Sequence, residues 1–94
     1  MHEAGAAWID VREPEEWAEW HIDGTELLPL QQAAATVFER FEDRDAPIVV
    51  SCLSGARSGH LVAAMREAGF TDVHNLRGGI KAWVADGRPV VSSE

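Results

Sequence analysis

Cysteine is almost missing from this chain of 94 residues, which carries a single one, Cys52. One thiol cannot close a disulfide within the chain. Nor can it build a thiolate zinc site, and the four histidines (His2, His21, His60, His74) show no metal-ligand spacing. No metal and no cofactor is expected. Basic residues are scarce as well, 8 Lys and Arg against 16 Asp and Glu, for a formal charge of −8. That balance argues against nucleic acid as a partner, because such binding rests on cations laid against phosphates. It leaves room for a small anionic substrate, since a local site can be positive on an acidic protein. No apolar run approaches the ~20 residues that span a bilayer, so no membrane contact is expected. No basic-then-apolar signal segment opens the sequence, and the default expectation is a cytoplasmic protein. Repeats and low-complexity tracts are also missing. The length suits one domain, residues 1–94.

What is present is an alternation of short β-type runs and helical patterns. Ala7 to Val11 (AWIDV) reads as a strand. Arg12-Glu13-Pro14 opens a helix: Pro suits the first helical position, and Glu15 and Glu16 suit the positive end of the dipole. Trp17 and Trp20 are spaced to share one face of it. His21 to Thr25 is a turn around Gly24, and Leu27-Leu28-Pro29 is briefly extended. Gln31 to Phe41 is helical, with Ala34, Val37, Phe38 and Phe41 as its stripe. After a polar loop closed by Pro47, Ile48 to Ser51 reads as a strand buried on both faces. Arg57 to Ala68 is helical, with Leu61, Met65 and Ala68 aligned and Val62 beside them. Gly69 and Phe70 form its C-terminal stop. Val73 to Leu76 is a strand, and Gly78-Gly79 opens a last helix holding Ile80, Trp83 and Val84, stopped by Gly87. Val90 to Glu94 reads as a frayed tail or short edge piece. Such alternation predicts an α/β fold around a parallel sheet.

The chemistry concentrates in Cys52-Leu53-Ser54-Gly55-Ala56-Arg57-Ser58, between a buried strand and a helix. Ligands of open parallel sheets bind at the carboxyl ends of strands, which is where Cys52 falls. Small residues and a glycine let the backbone curl so that its N–H groups point inward. Such a nest at a helix N-terminus attracts an anion, and Arg57 adds a planar cationic fork. The same surroundings favour a thiolate, the nucleophilic form of cysteine. No separate general base is needed; His60 could tune the site or simply face solvent. The competing reading is a buried Cys52 acting as a small apolar residue at a strand end.

With those residues in view, the chain resembles the rhodanese family over nearly its whole length. Cys52-x-x-Gly55-x-Arg57-Ser58 is similar to the family's active-site loop. Asp10-Val11-Arg12-Glu13 resembles its first signature and His21-Ile22-x-Gly24 its second. Leu76-x-Gly78-Gly79-x-x-x-Trp83, followed by Gly87-x-Pro89, resembles its C-terminal signature. The resemblance implies a three-layer sandwich, with a central parallel sheet of four or five strands and helices on both faces. It implies a persulfide on Cys52, a substrate cradle from Leu53 through Ser58, and thiosulfate or a persulfide as sulfur donor. The acceptor would be a thiol, cyanide or another protein. Asp10 and Arg12 would support the loop or pair with each other, with direct substrate contact the alternative to such a structural role; His21 and Gly24 would fix a turn, and Trp83 would be core.

Two departures stand out. Trp20 and Asp23 replace the glycine and proline of the family's turn, and only nine residues precede Asp10, where an additional strand and helix are usual. A missing edge strand would leave an exposed sheet edge. Other classes of function remain open at this stage. Phosphatases and arsenate reductases of related fold use Cys-x-x-x-x-x-Arg, one residue longer than the spacing from Cys52 to Arg57; the shorter ring suits a sulfur-centred substrate better. A non-enzymatic binding, regulatory or sulfur-carrier module is the other alternative, and the acidic surface would serve a basic partner.

Overall fold

The computed structural model describes residues 6–92, in the element order β1 (Ala7–Asp10), α1 (Pro14–Glu19), β2 (Glu26–Leu27), α2 (Leu30–Arg40), β3 (Ile48–Ser51), α3 (Ala56–Glu67), β4 (Val73–Asn75), α4 (Gly79–Ala85). The four strands form one all-parallel sheet ordered β2-β1-β3-β4. Ile9 lies opposite Val50 and Asp10 opposite Ser51, so the ends of β1 and β3 are level. The strand that the resemblance implies ahead of β1 would fall largely outside the described residues. No helix among the described residues is long and apolar enough to cross a membrane.

Strand alternation sorts the core into two layers. On one face Ile9, Val11, Ile48, Val50 and Val73 meet Ala33 and Val37 of α2 and Leu61, Val62 and Met65 of α3. On the other, Trp8 and the half-buried Val49 and Leu76 meet Ile80 and Trp83 of α4, together with Ile22. Trp8 and Trp83 pack edge to face with centroids 5.6 Å apart. Helices therefore cover both faces, as the β-branched run of β3 predicts. Phe38 and Phe41 join the α2 layer as partly buried residues, while the side chain of Ala34 lies outside the described ones.

Several finer expectations need correction. Trp17 and Trp20 do not share a helical face, because Trp20 is the C-cap of α1 with extended backbone (φ −168°, ψ 147°). Its ring instead lies 5.0 Å from the Arg12 guanidinium, and Trp17 stacks on His21 at 3.6 Å. Val84 is 44% exposed, since α4 is only seven residues long and buries the Ile80–Trp83 side alone. Ala68 is exposed as the C-cap of α3, past the last buried turn. Gly69 and Phe70 do close that helix: Phe70 N–H donates to the Met65 carbonyl at 3.0 Å. The tail is an edge piece, with Val91 and His21 exchanging backbone hydrogen bonds at 2.8 Å.

Asp10 and Arg12 are both fully buried, at the carboxyl end of β1. Arg12 Nε reaches both Asp10 oxygens at 3.1 Å and Nη2 reaches Oδ2 at 3.0 Å. Nη2 also donates to the Trp20 carbonyl at 2.8 Å, which ties the end of α1 to the end of β1. A buried pair of this kind is dangerous to halve, because the survivor keeps its desolvation cost without its partner. Asp10→Ala should therefore cost about 3–5 kcal/mol in urea unfolding. Replacing both residues with apolar ones of similar size should cost less than the single change.

Candidate active site

Cys52 follows β3 directly, and the loop after it turns into α3 at Gly55, whose φ of +101° suits glycine. The loop's carbonyls are engaged from outside. Ile80 and Lys81, at the start of α4, donate their backbone N–H groups to the Cys52 and Leu53 carbonyls, each at 2.9 Å. Asn75 Nδ2, from the end of β4, donates to the Gly55 carbonyl at 3.0 Å. The turn held in this way directs two N–H groups onto the sulfur. Gly55 N–H lies 3.1 Å from Cys52 Sγ and Ser58 N–H 3.4 Å, and Ser58 Oγ lies 3.3 Å away.

These contacts define the charge state that the site favours. Burial raises the Cys52 pKa and is the largest single influence. Against it act the Ser58 hydroxyl and the backbone N–H groups of Ser58, Gly55 and Ser54, and together they carry the thiol below its ordinary value. A thiolate held by fixed dipoles is a ready nucleophile. Cys52 has no exposed surface of its own. Ser54 and Ala56 are exposed at the rim, and Leu53 and Gly55 are partly buried.

The segment from Leu53 to Ser58 is therefore brought around the sulfur as a unit, but its members differ in what they present. Gly55 and Ser58 point hydrogen-bond donors at Sγ. Arg57 turns its fork to α1: Nη1 meets Glu16 Oε1 at 3.0 Å and Nη2 meets Oε2 at 3.2 Å. Each partner sustains the other's charge, the hydrogen-bonded pair lowering the Glu16 pKa and raising that of Arg57. Asp10 and Arg12 pair with each other, the second of the two structural roles open to them, and lie alongside through the Val11 N–H to Ser51 carbonyl bond at 2.9 Å. His60 is exposed on α3. His21 is buried and Gly24 (φ +89°) turns the chain after it, with the Thr25 N–H donating to the Ile22 carbonyl at 3.3 Å. Trp83 is core, its indole N–H satisfied by the Pro89 carbonyl at 2.8 Å. Among the described residues no three His, Cys, Asp or Glu side chains cluster as metal ligands.

Two participants escaped the sequence reading. Asn75 accepts a 2.5 Å hydrogen bond from Ser58 Oγ while its amide nitrogen holds the Gly55 carbonyl. Its signal was its place at the end of the strand next to β3, where parallel register gathers side chains. Glu16 was legible only as an acidic residue of a helix start. It fills a capping box, accepting from Glu13 N–H at 2.9 Å, and also reaches Arg57.

The closest approach in the site is made by Gly79. A Cβ there would lie 2.3 Å from the Leu53 carbonyl oxygen, and φ is +68°. Only glycine lets α4 come near enough to hold the loop.

Comparison with known proteins agrees with this geometry. A family model described as Rhodanese-like domain matches residues 1–86. The chain is 42% identical over 85 residues to a Mycobacterium tuberculosis protein named probable adenylyltransferase/sulfurtransferase MoeZ, covering 88% of this chain but 21% of that one. It therefore spans about a fifth of that relative's length. It is 37% identical over 83 residues to the thiosulfate sulfurtransferase GlpE of Pseudomonas fluorescens, covering 88% of this chain and 74% of the relative. A solved structure titled rhodanese with anions from E. coli superposes with a TM-score of 0.76 at 29% identity, over 93% of this chain and 98% of that one.

Two changes probe the cradle. Ser58→Ala removes one of the groups that lower the thiol pKa, so the midpoint of Cys52 alkylation by iodoacetamide should move to higher pH. The rate near neutral pH should fall by about three- to ten-fold. Gly79→Ala forces the loop away from α4 and should destabilise the fold by more than about 2 kcal/mol in urea, with slower alkylation in the folded fraction.

Proposed function

The chain belongs to the rhodanese-like domain family, and on that premise we propose that it is a sulfurtransferase in which Cys52 carries the transferred sulfur. The observation that carries the reading is the ring of inward-facing donors around Cys52 Sγ at the end of β3. The supporting relatives are named for sulfur transfer, one of them specifically for thiosulfate.

The reaction follows from the geometry in two displacements. Cys52 thiolate attacks the outer sulfur of thiosulfate. A new S–S bond forms, the bond between the two sulfurs of thiosulfate breaks, and sulfite leaves with the electron pair. Cys52 now holds a persulfide whose negative charge sits on the outer sulfur. The N–H groups that faced the thiolate, with the helix start behind them, stabilise that charge as an oxyanion hole would. An acceptor thiolate then attacks the outer sulfur, leaves as its own persulfide, and returns Cys52 as thiolate. Cyanide in the same role leaves as thiocyanate. No proton needs to move in either displacement.

Substrate is held in this reading by the segment Leu53, Ser54, Gly55, Ala56, Arg57 and Ser58, chiefly through backbone N–H groups. Asp10 and Arg12 act as the buried brace beside it. Residues 1–94 form one rhodanese-like unit, and the acceptor is a small thiol or a protein thiol. A reducing, cytoplasmic setting suits a unit whose one thiol must stay unpaired to work.

Incubation with thiosulfate should add one sulfur atom to the intact protein by mass spectrometry, located on the peptide containing Cys52. Cyanide should remove it and release thiocyanate in equal amount. Cys52→Ser should gain nothing. A wild-type protein that stays unmodified while its thiol remains alkylatable would defeat the reading.

A further inference from the structure

The charges around the cradle are cancelled in pairs. Arg57, the one cation of the loop, gives both terminal nitrogens to the two oxygens of Glu16, at 3.0 and 3.2 Å. Arg12, the next guanidinium, is fully buried and clasped by both oxygens of Asp10. The four groups are close enough to act on one another and on the thiol: Arg57 feels Cys52 and Asp10, and Glu16 feels Arg12. Two cations and two anions sum to zero. The net charge left at the site is that of the Cys52 thiolate, faced by backbone dipoles, a hydroxyl and an Arg57 charge that Glu16 offsets. Glu13, Glu15 and Glu19 of the same helix as Glu16 are exposed and add negative potential.

From this arrangement we propose that Glu16 is a specificity-determining residue. By neutralising Arg57 at the mouth of the cradle, it turns the enzyme away from dianionic sulfur donors and toward donors of lower charge, monoanionic thiosulfonates and alkyl persulfides. The proposal rests on the sulfur-transfer reading and adds the substrate class. Thiosulfate brings two negative charges toward a thiolate, and an unpaired guanidinium would offset that repulsion. With the fork already occupied by Glu16, the dianion meets its full cost. A persulfide or thiosulfonate presents one charge and meets half of it.

Thiosulfate and methanethiosulfonate separate charge from chemistry. Each is attacked at its outer sulfur and yields the same Cys52 persulfide; one releases sulfite and the other methanesulfinate. Glu16→Gln keeps the helix start, because a glutamine at this position still closes a capping box. It removes the negative charge and frees the Arg57 charge. In single-turnover sulfur uptake at low salt, the variant should gain about ten-fold in kcat/KM with thiosulfate and about three-fold with methanethiosulfonate, one cation acting on two charges or on one. Both gains should fade as ionic strength rises. Adding Arg57→Gln to the variant should return both values toward wild type.

Equal changes with the two donors, gains indifferent to salt, or a loss with both would overturn the role of Glu16 while leaving sulfur transfer intact. A folded wild type that takes no sulfur from either donor, by mass spectrometry of the Cys52 peptide, would overturn both readings. Thermal melts matched between wild type and Glu16→Gln exclude a merely structural effect as the source of the split.

Discussion

The site depends on where the carbonyls of one short loop are sent. A peptide unit that turns its C=O outward turns its N–H the other way, and outward acceptors must be satisfied because the loop is packed against the fold. The start of α4 takes the Cys52 and Leu53 carbonyls, and the Asn75 side chain takes that of Gly55. Of the donors that act on Sγ, the Ser54 N–H is the reverse side of the Leu53 bond, and the Gly55 and Ser58 N–H groups belong to later peptides of the same anchored turn. A pair of glycines makes the approach of α4 sterically possible, with Gly78 and Gly79 both at positive φ. The C-terminal helix, distant in sequence from Cys52, therefore sets the direction of the active-site loop, and α3 supplies the remaining donors at its own first turn.

Much of this was legible from residues alone. The β-branched run before Cys52, the small residues after it and the Gly78-Gly79 pair marked a buried strand, a curling loop and the start of the last helix. The level ends of β1 and β3 followed from parallel pairing, which is why Asp10 and Arg12 could be placed near the loop. What sequence could not decide was the choice of partner. Arg57 reads as a substrate cation because its spacing from Cys52 is right, and only the three-dimensional position of α1 shows Glu16 holding it. Asn75 gave no signal beyond its place near the end of a short strand, since its role comes from a neighbour in the sheet and not from its own segment. Trp20 misled for a different reason. Its spacing from Trp17 fits a helix, but the chain had already left the helix to bring the Trp20 carbonyl to Arg12.

Ser58 links these parts at the level of a single proton. Its hydroxyl sits 2.5 Å from Asn75 Oδ1 and 3.3 Å from Cys52 Sγ, and it has one hydrogen to give. The hydroxyl is therefore shared between the amide oxygen and the sulfur, and the sulfur has the backbone donors beside it. That division suits a sulfur that alternates between thiolate and persulfide. In the persulfide the charge moves outward and Sγ becomes a poor acceptor. The hydroxyl then keeps its partner in Asn75.

A cradle of backbone dipoles has a further consequence for selectivity. Dipoles attract an anion, but they read its charge weakly and its carrier hardly at all, so they cannot separate one sulfur donor from another. Discrimination has to come from groups that carry full charge and lie close enough to be felt. Here those groups are paired, one pair fully buried and the other about one-third exposed at the rim. The buried pair is locked by its surroundings and by the Trp20 carbonyl, and it serves architecture. The rim pair is reachable by solvent and by an incoming anion. It is also built on α1, which touches the loop through Glu16. Shape and selectivity are thus assigned to different helices: α4 forms the cradle, and α1 sets the charge at its mouth.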